Sequence, residues 1–295
     1  MPADVLTIDH AIRDRCGLAH RGGSALQPWF KLKYQRAAAV KTHGMVTLAF
    51  EFAIMNMPAT ELSLGMEMPQ VWSVIINEYP IEFPAVPNTW VDVAFETAPI
   101  PRAALHKGTN IVTLRTAYTD MTDLEAIYLL GAFGVSVAGA CATLTPLPAA
   151  LAPACVTSQG LPFYSGAVRY RLPLPVQPAE HEHVFLEVPA HEGALMNVYA
   201  NDALLATMPW APYEADLTAA MRAGAREIVL EVVLTRRNTF GPFHEVHNPG
   251  FCAPGCFITC GDNYTDNYLL HPAGLLQSPV LSVRRSTGTP LATPP

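Results

Sequence analysis

The side chains with the clearest chemical potential lie in the C-terminal half and are of the types that bind sugars. A sugar ring has apolar C–H faces that aromatic side chains cover, and hydroxyls that pair with Asn, Asp, Arg and His. Most of the candidates fall in predicted loops or at strand ends, where binding residues gather. They are Trp210, Tyr213, Arg236, Arg237, Asn238, His244, Asp262 and Tyr264.

A structural role is the alternative for the same residues. Trp210 and Tyr213 could fill the core of a sandwich, because aromatic residues serve cores more often than ligands. Arg237 and Asn238 could brace the turn at 241–242 through hydrogen bonds to backbone carbonyls. The exposure of these side chains in the folded protein therefore decides between the two interpretations.

Hydrolysis of glycans would require two facing carboxylates about 5 to 10 Å apart. The sequence offers Glu51, Glu61, Glu67, Glu96 and Glu125. Those on predicted strands alternate with apolar residues, which predicts a solvated sheet face. A Gly-x-Ser-x-Gly motif for a nucleophilic serine is absent, and Ser165 is predicted as a loop residue. No complete catalytic site is predicted.

Three cysteines, Cys252, Cys256 and Cys260, recur at four-residue spacing near His244 and His247. Thiolates and imidazoles ligate zinc, so a metal site, a disulfide and free thiols are all open. The spacing matches no common zinc finger and the segment is rich in Pro and Gly, so we favour free or buried thiols and predict no cofactor. The remaining Cys16, Cys141 and Cys155 are predicted as core or loop thiols.

The composition is typical of a globular protein with an acidic surface. Half of the 295 residues are hydrophobic, and 27 prolines favour an all-β chain with many turns. The formal net charge of −7 argues against nucleic-acid binding. Residues 1–16 lack the apolar core of a secretory signal, which favours a cytoplasmic location. Residues 126–144 are apolar but interrupted by three glycines, so a buried strand is predicted there in place of a membrane span.

The two halves of the chain repeat one series of predicted elements. The first half has strands at 46–52 and 61–68, a hairpin at 72–81, a glycine-ended turn at 104–108 and a strand at 110–118. The second half has the same series at 167–172, 183–188, 195–204, 220–224 and 227–234. Each hairpin turn carries Asn or Asp, at Asn77 and at Asn201–Asp202, and these residues tolerate positive φ. The pattern predicts an all-β chain of two tandem antiparallel β-sandwich domains.

Domain boundaries follow from this repeat. We predict an N-terminal arm at 1–45 that packs on the first domain through Trp29, Phe30 and Leu32. The first sandwich is predicted at 46–140 and the second at 161–285, with a tail at 286–295. A Pro/Ala-rich stretch without charge, at 141–160, is predicted as the linker.

Several phrases of the sequence resemble the ancillary regions of large bacterial glycoside hydrolases. They are LEAIYLLGAFGV at 124–135, LPFYSGAVRY at 161–170, RNTFGP at 237–242 and YTDNYLLHPAGL at 264–275. Such regions are galactose-binding-like jelly rolls, similar to the sugar-binding domain of glycoside hydrolase family 2 and to the C-terminal part of rhamnosidase-like enzymes. The resemblance runs from about residue 46 to about residue 281.

This resemblance implies a non-catalytic carbohydrate-binding or scaffolding module, because the catalytic carboxylates of such enzymes lie on a separate barrel domain. A carbohydrate is then the expected ligand, and a catalytic domain or a second copy of the chain the expected protein partner. Neither nucleic acid nor a membrane is expected. Calcium stays open, since it is common in this fold family. The alternatives are a small glycan-active hydrolase with paired carboxylates at the domain junction, and a purely structural piece.

Overall fold

A computed structural model describes residues 4–20, 40–175, 177–246, 257 and 261–285. The chain divides into two compact units. The first unit contains Met1–Pro148 and Gly241–Leu269, and the second contains Ala149–Phe240 and Leu270–Pro295. The contacts predicted for Trp29, Phe30 and Leu32, and the predicted tail at 286–295, lie outside the described residues.

The first unit is built from two sheets around one apolar core. Its strands are β1 (Thr42–Ile54), β2 (Leu62–Glu67), β3 (Ser73–Ile76), β4 (Tyr79–Pro80), β5 (Asn88–Trp90), β6 (Asp92–Ile100), β7 (Gly108–Thr119), β8 (Tyr128–Leu130), β9 (Gly134–Ala138) and β10 (Cys141–Thr145). One sheet has the order β4-β3-β7-β1-β10-β9 and the other β5-β6-β2-β8. Pairing is antiparallel except between β1 and β10. Leu64 of one sheet and Leu114 of the other are both buried in the core.

The second unit has its own core and three sheets. Its strands are β11 (Ala167–Pro173), β12 (Glu182–Glu187), β13 (His191–Glu192), β14 (Leu195–Ala200), β15 (Ala203–Met208), β16 (Glu214–Asp216), β17 (Glu227–Val233), β18 (Gly274–Leu275) and β19 (Val280–Arg285). The sheet orders are β11-β17-β14-β15, β16-β12-β19 and β13-β18. Two short helices, α2 (Thr218–Arg222) and α3 (Arg237–Phe240), flank β17 in the chain. Leu186 and Leu230 come from different sheets and are buried in one core.

The predicted all-β sandwich architecture is confirmed, and the internal repeat extends to strand pairing. Four strands of the first unit have the order β4-β3-β7-β1, and their counterparts in the second have the order β15-β14-β17-β11. The hairpin turns lie where the sequence predicts them: Asn77 has φ of 54°, and Asn201 and Asp202 have φ of 48° and 63°. Asparagine and aspartate tolerate this left-handed conformation, which a tight hairpin needs.

The segment predicted as a linker, 141–160, is ordered at both ends. Cys141–Thr145 forms β10 because Leu144 faces the first core, where its side chain is buried. Val156 opens a 3-10 turn at Val156–Gln159 and is completely buried in the second core. These apolar side chains outweigh the proline and alanine content that favours a linker. No helix in the described ranges is long and apolar enough to cross a membrane.

Residues 241–269 differ from the predicted boundaries, because they group with the first unit although the sequence places them inside the second sandwich. Their described hydrogen bonds close within the segment. Thr265 N donates to His244 O at 3.0 Å, Val246 N donates to Asn263 O at 2.9 Å, and Leu269 N donates to Phe243 O. The described parts of this segment are therefore joined to each other by backbone hydrogen bonds, and we call residues 241–269 the excursion.

The N-terminal arm contains a helix that the sequence analysis missed, α1 (Val5–Cys16), which packs on the first core. It buries an ion pair, with Arg13 Nε 2.8 Å from Asp9 Oδ2. The Tyr118 hydroxyl donates to Asp9 Oδ1 at 3.0 Å, and Arg13 Nη2 donates to the carbonyl of Thr122 at 2.9 Å. The helix is thus held on the sandwich by charged groups that water does not reach.

Replacement of Arg13 should destabilise the first unit strongly. Arg13→Met leaves the buried Asp9 carboxylate without its cation, and removal of one partner of a buried pair costs about 3–5 kcal/mol. The measurement is urea unfolding followed by circular dichroism and fluorescence. The matched control is Arg15→Met on the exposed side of the same helix. An equal free energy of unfolding for the two variants would contradict the assigned role of Arg13.

Candidate functional site

The eight predicted binding residues are divided between the two units. Trp210, Tyr213, Arg236, Arg237 and Asn238 belong to the second unit. His244, Asp262 and Tyr264 belong to the excursion that groups with the first unit. Within each unit the residues occupy distinct environments.

Trp210 and Tyr213 lie on the short loop between β15 and β16 but differ in their packing. The Trp210 side chain is 75% exposed. Tyr213 packs against the second core, and its ring meets the His191 ring edge-on, with centroids 4.2 Å apart. The loop is fixed before Trp210 by the buried side chain of Met208. Of the two aromatics, Trp210 therefore presents its ring to solvent, and Tyr213 packs as the structural alternative expects.

Arg236, Arg237 and Asn238 lie at the start of α3. The exposed Arg236 contributes its carbonyl, which accepts from the backbone N–H groups of Thr239 and Phe240 at 3.1 Å each. Asn238 is buried, and its amide pairs with the backbone of His271 in both directions, at 2.7 and 2.8 Å. Asn238 is thus a backbone brace, although it braces residue 271 and not the turn at 241–242.

His271 follows the excursion and is half-buried beside Arg237. Burial lowers the pKa of His271, and the positive charge of Arg237 lowers it further. The carboxylate of Glu192 acts in the opposite direction. A neutral imidazole is the form these surroundings favour, so His271 offers hydrogen bonding and not a positive charge.

His244 and Tyr264 lie together on the excursion with Tyr268. The His244 ring centroid is 4.7 Å from that of Tyr268 and 5.9 Å from that of Tyr264. His244 Nδ1 is 3.1 Å from the carbonyl of Thr265. Burial raises the pKa of Tyr264. Asp262 is exposed in the 3-10 turn Gly261–Asn263. All three rings belong to the excursion.

Sequence reasoning missed a polar cluster on the sheet β11-β17-β14-β15, on the face opposite to the core. The carboxylate of Glu231 is its centre. Arg169 Nε donates to Glu231 Oε2 at 2.6 Å, and Asn197 Nδ2 and the Tyr199 hydroxyl donate to Oε1 at 3.1 and 3.2 Å. Hydrogen bonds from Asn197 and Arg169 lower the pKa of Glu231. A site of this kind holds a carboxylate ionised and orients its donors.

Three of these residues and one more form a straight line across the sheet. The residue partners are Arg169 with Glu231, Glu231 with Asn197, and Asn197 with Thr207. The Thr207 hydroxyl donates to Asn197 Oδ1 at 2.8 Å, which completes the chain of hydrogen bonds. We call these four residues the polar row. The signal that could have revealed it is the repeat itself, because strand pairing taken from the first half places these outward residues side by side.

The candidate carboxylates of the first unit differ in exposure. Glu51 and Glu61 are exposed, as a solvated sheet face predicts, whereas Glu67, Glu96 and Glu125 are half-buried. Burial raises the pKa of Tyr128, and the charges of Glu125 and Glu67 raise it further. Both carboxylates therefore act on the same phenol.

That phenol belongs to an aromatic cluster. The Tyr128 ring centroid is 5.3 Å from those of Trp90 and Phe95, and the Trp90 and Phe95 centroids are 5.9 Å apart. Gly65 lies beside it, where a Cβ atom would come within 3.8 Å of the Trp90 ring. Aromatic surface and two carboxylates thus occur together in the first unit.

The predicted cysteine cluster cannot be placed, because Cys252, Cys256, Cys260 and His247 lie outside the described residues. Cys16, Cys141 and Cys155 are free thiols. In the part of the chain that the structure describes, no three His, Cys, Asp or Glu side chains are grouped so as to hold a metal ion. Calcium binding stays a proposal that a metal titration would test.

Two rhamnosidases are among the solved structures with weak similarity to the chain. No protein-family model and no curated protein matches the chain. The structure of a rhamnosidase from Novosphingobium sp. PP1Y is 15% identical over 83% of this chain and 22% of that one, with a TM-score of 0.29. A Streptomyces avermitilis alpha-L-rhamnosidase complexed with L-rhamnose is 11% identical over 66% of this chain and 22% of that one, with a TM-score of 0.27. The chain thus spans 22% of the length of each, and similarity of this degree assigns neither family nor function.

The stabilising effect of Glu231 should depend on pH. The pKa of Glu231 is lowered in the folded chain, so its contribution is present above the ordinary carboxyl pKa and is lost as pH falls through the folded value. The free energy of unfolding of the original chain should therefore exceed that of Glu231→Gln at pH 7. The difference should shrink between about pH 5 and pH 3.

The measurement is urea unfolding across this pH range. Glu227→Gln is the matched control, because Glu227 lies on the same strand and pairs with Arg171 on the exposed sheet face. Exposed pairs contribute little, so this control should show a small effect throughout. A Glu231→Gln difference that stays constant with pH would show that the carboxylate charge is not involved.

Proposed function

We propose that the chain is a non-catalytic carbohydrate-binding module and that Trp210 is the anchor for the sugar. The observation that carries this proposal is the exposure of the Trp210 side chain, 75%, on a loop that is fixed at both ends. Further support comes from the sequence resemblance to accessory regions of glycoside hydrolases.

The argument from Trp210 is energetic. A large aromatic ring in water represents apolar surface that gains about 25 cal/mol per Å² when a ligand covers it. The buried Met208 before the loop and the packed Tyr213 after it anchor both ends of the loop that carries the indole. An anchored loop loses little conformational entropy on binding, and the apolar face of a pyranose is the surface that stacks on an indole.

The overall charge favours an uncharged glycan. The chain has a formal net charge of −7, and like charges in a ligand would be repelled. A module of this kind raises the local concentration of an attached protein near the glycan. The proposed partner is therefore a catalytic domain or a second copy of the chain.

Replacement of Trp210 should remove glycan binding and leave the fold intact. Trp210→Ala should raise the Kd about tenfold or more, equivalent to about 1.4 kcal/mol, because exposed aromatic anchors dominate such contacts. The measurement is a glycan array that includes L-rhamnose and galactose-containing oligosaccharides, followed by calorimetric titration with the strongest binder.

Tyr164→Ala is the matched control, since Tyr164 is another exposed ring of the second unit. It should bind as the original chain does. Equal affinities of the original chain and Trp210→Ala for every bound glycan would exclude Trp210 as the anchor, and no binding on the array would exclude the binding function.

A glycoside hydrolase is the second candidate function, and the action of Glu67 and Glu125 on the Tyr128 phenol favours it. If the pair is catalytic, Glu67→Gln or Glu125→Gln should reduce the release of nitrophenol from aryl glycosides at least about 100-fold, since a positioned acid or base contributes that much. Glu51→Gln, an exposed carboxylate of the same unit, is the control. Turnover by the original chain would contradict the non-catalytic proposal, and its absence would exclude this second candidate.

A further inference from the structure

We propose that the outward face of the sheet β11-β17-β14-β15 is a second carbohydrate site, distinct from Trp210, with Arg169 as its main hydrogen-bond donor. The inference rests on the proposed carbohydrate binding but concerns different residues. Its occupant is an uncharged saccharide lying across the polar row.

The buried carboxylate of Glu231 is the first observation. Glu231 points away from the core, yet it is only 7% exposed and is covered by its own partners. Outward positions of a sheet with one solvated face normally carry independent polar side chains that stay in water. Here four side chains are held in one arrangement, and holding them costs conformational entropy. Side chains that only keep an open face soluble do not need to be held in this way.

Arg169 supplies the binding capacity of the row. Its side chain is 68% exposed, and it meets Glu231 through Nε at 2.6 Å. Among the residues that the structure describes, none accepts a hydrogen bond from the two terminal Nη groups. Their four N–H donors are therefore left for a ligand. Because the Nε hydrogen bond fixes the plane of the guanidinium, its two Nη groups point in one direction. Two neighbouring hydroxyls of a sugar are acceptors with a spacing that matches these two groups.

An apolar row lies directly beside the polar row and supplies the second requirement of a sugar site. Residue partners across the sheet place Val229 beside Tyr199 and Tyr199 beside Leu204, and the charged Arg171 ends this row beside Val229. Leu204 is 56% exposed. Tyr199 joins the two rows, because it lies beside Val229 in the second row and its hydroxyl donates to Glu231 of the polar row. The face therefore offers donors on one side and apolar contact on the other, as a sugar with hydroxyls and a C–H face requires.

The charges of this face select an uncharged occupant. Arg169 pairs with Glu231 at 2.6 Å, and Arg171 pairs with Glu227 at 3.0 Å. Each exposed guanidinium is thus neutralised by a carboxylate on the neighbouring strand. An anionic polymer would find no net positive charge here, whereas hydroxyl groups would find oriented donors.

The internal repeat shows that the fold does not need the row. Strand pairing in the first unit places Thr47, Arg115 and Ser73 at the positions equivalent to Arg169, Glu231 and Asn197. All three are exposed, and no carboxylate is present. The same sheet order therefore forms without a buried ionised group, so the row in the second unit is an addition to a common scaffold.

The test is native affinity electrophoresis of the full chain in gels that contain galactomannan, arabinogalactan or polygalacturonate. Arg169→Lys is the informative variant, because lysine keeps the charge beside Glu231 but lacks the fork. Arg285→Lys is the matched control, since Arg285 is exposed and pairs with Glu182 on another sheet of the same unit. Each variant is also made with Trp210→Ala to separate the two sites.

We expect a neutral polysaccharide to retard the original chain. Arg169→Lys should lose affinity roughly tenfold, and Arg285→Lys should show no change. The loss should also appear in the Trp210→Ala background. The proposal would be overturned by unchanged retardation of Arg169→Lys, by a loss confined to polygalacturonate, or by no retardation of the original chain in any gel. A dimer that Leu204→Glu dissociates in light scattering would assign the face to a protein contact instead.

The two proposals fail separately. If Trp210→Ala has no effect and Arg169→Lys removes binding, the anchor at Trp210 is wrong and the sheet face stands. The reverse result leaves Trp210 as the anchor and overturns the second site.

Discussion

The central strand of the larger sheet in each unit is the element on which the rest of the structure depends. In the first unit β7 pairs with β1 along its whole length and with β3 on its other edge. In the second unit β17 pairs in the same way with β11 and β14. A strand bonded on both edges fixes the register of its neighbours, and with a side-chain period of two it also fixes which residues face the core. The outward positions are thereby released from packing, and the second unit uses them for the polar row.

Strand positions could be predicted from sequence because alternation and repetition agree. The prediction failed where a buried polar group interrupts the apolar pattern. Helix α1 carries Asp9 and Arg13 on its inner side, and such charges in a sequence indicate solvent exposure, so the helix was missed. Only the fold shows that the Tyr118 hydroxyl donates to Asp9 of this pair, since the two residues are 109 positions apart in the chain. The burial of Glu231 was missed for the same reason, because a charged residue on an alternating strand indicates solvent exposure.

The candidate binding residues were predictable by type but not by grouping. Sequence proximity suggested one site, whereas the chain departs from the second unit after Phe240 and returns at Leu270. His244 and Tyr264 therefore belong to a different unit from Trp210. Trp210 and Tyr213 are close in the chain, but only Trp210 presents its ring to solvent. A sequence does not distinguish an aromatic residue that fills a core from one that lies on the surface.

The Asn238 brace has a consequence for how such a chain can change over time. Its amide joins the backbone just before the excursion to residue 271 just after it, so both ends of the excursion are held at one point. A loop whose ends are already clamped can gain or lose residues at a cost that grows only with the logarithm of its length. The second sandwich can therefore accept a change in the length of this excursion at a small entropic cost, while the Asn238 contact and the strands on either side stay the same.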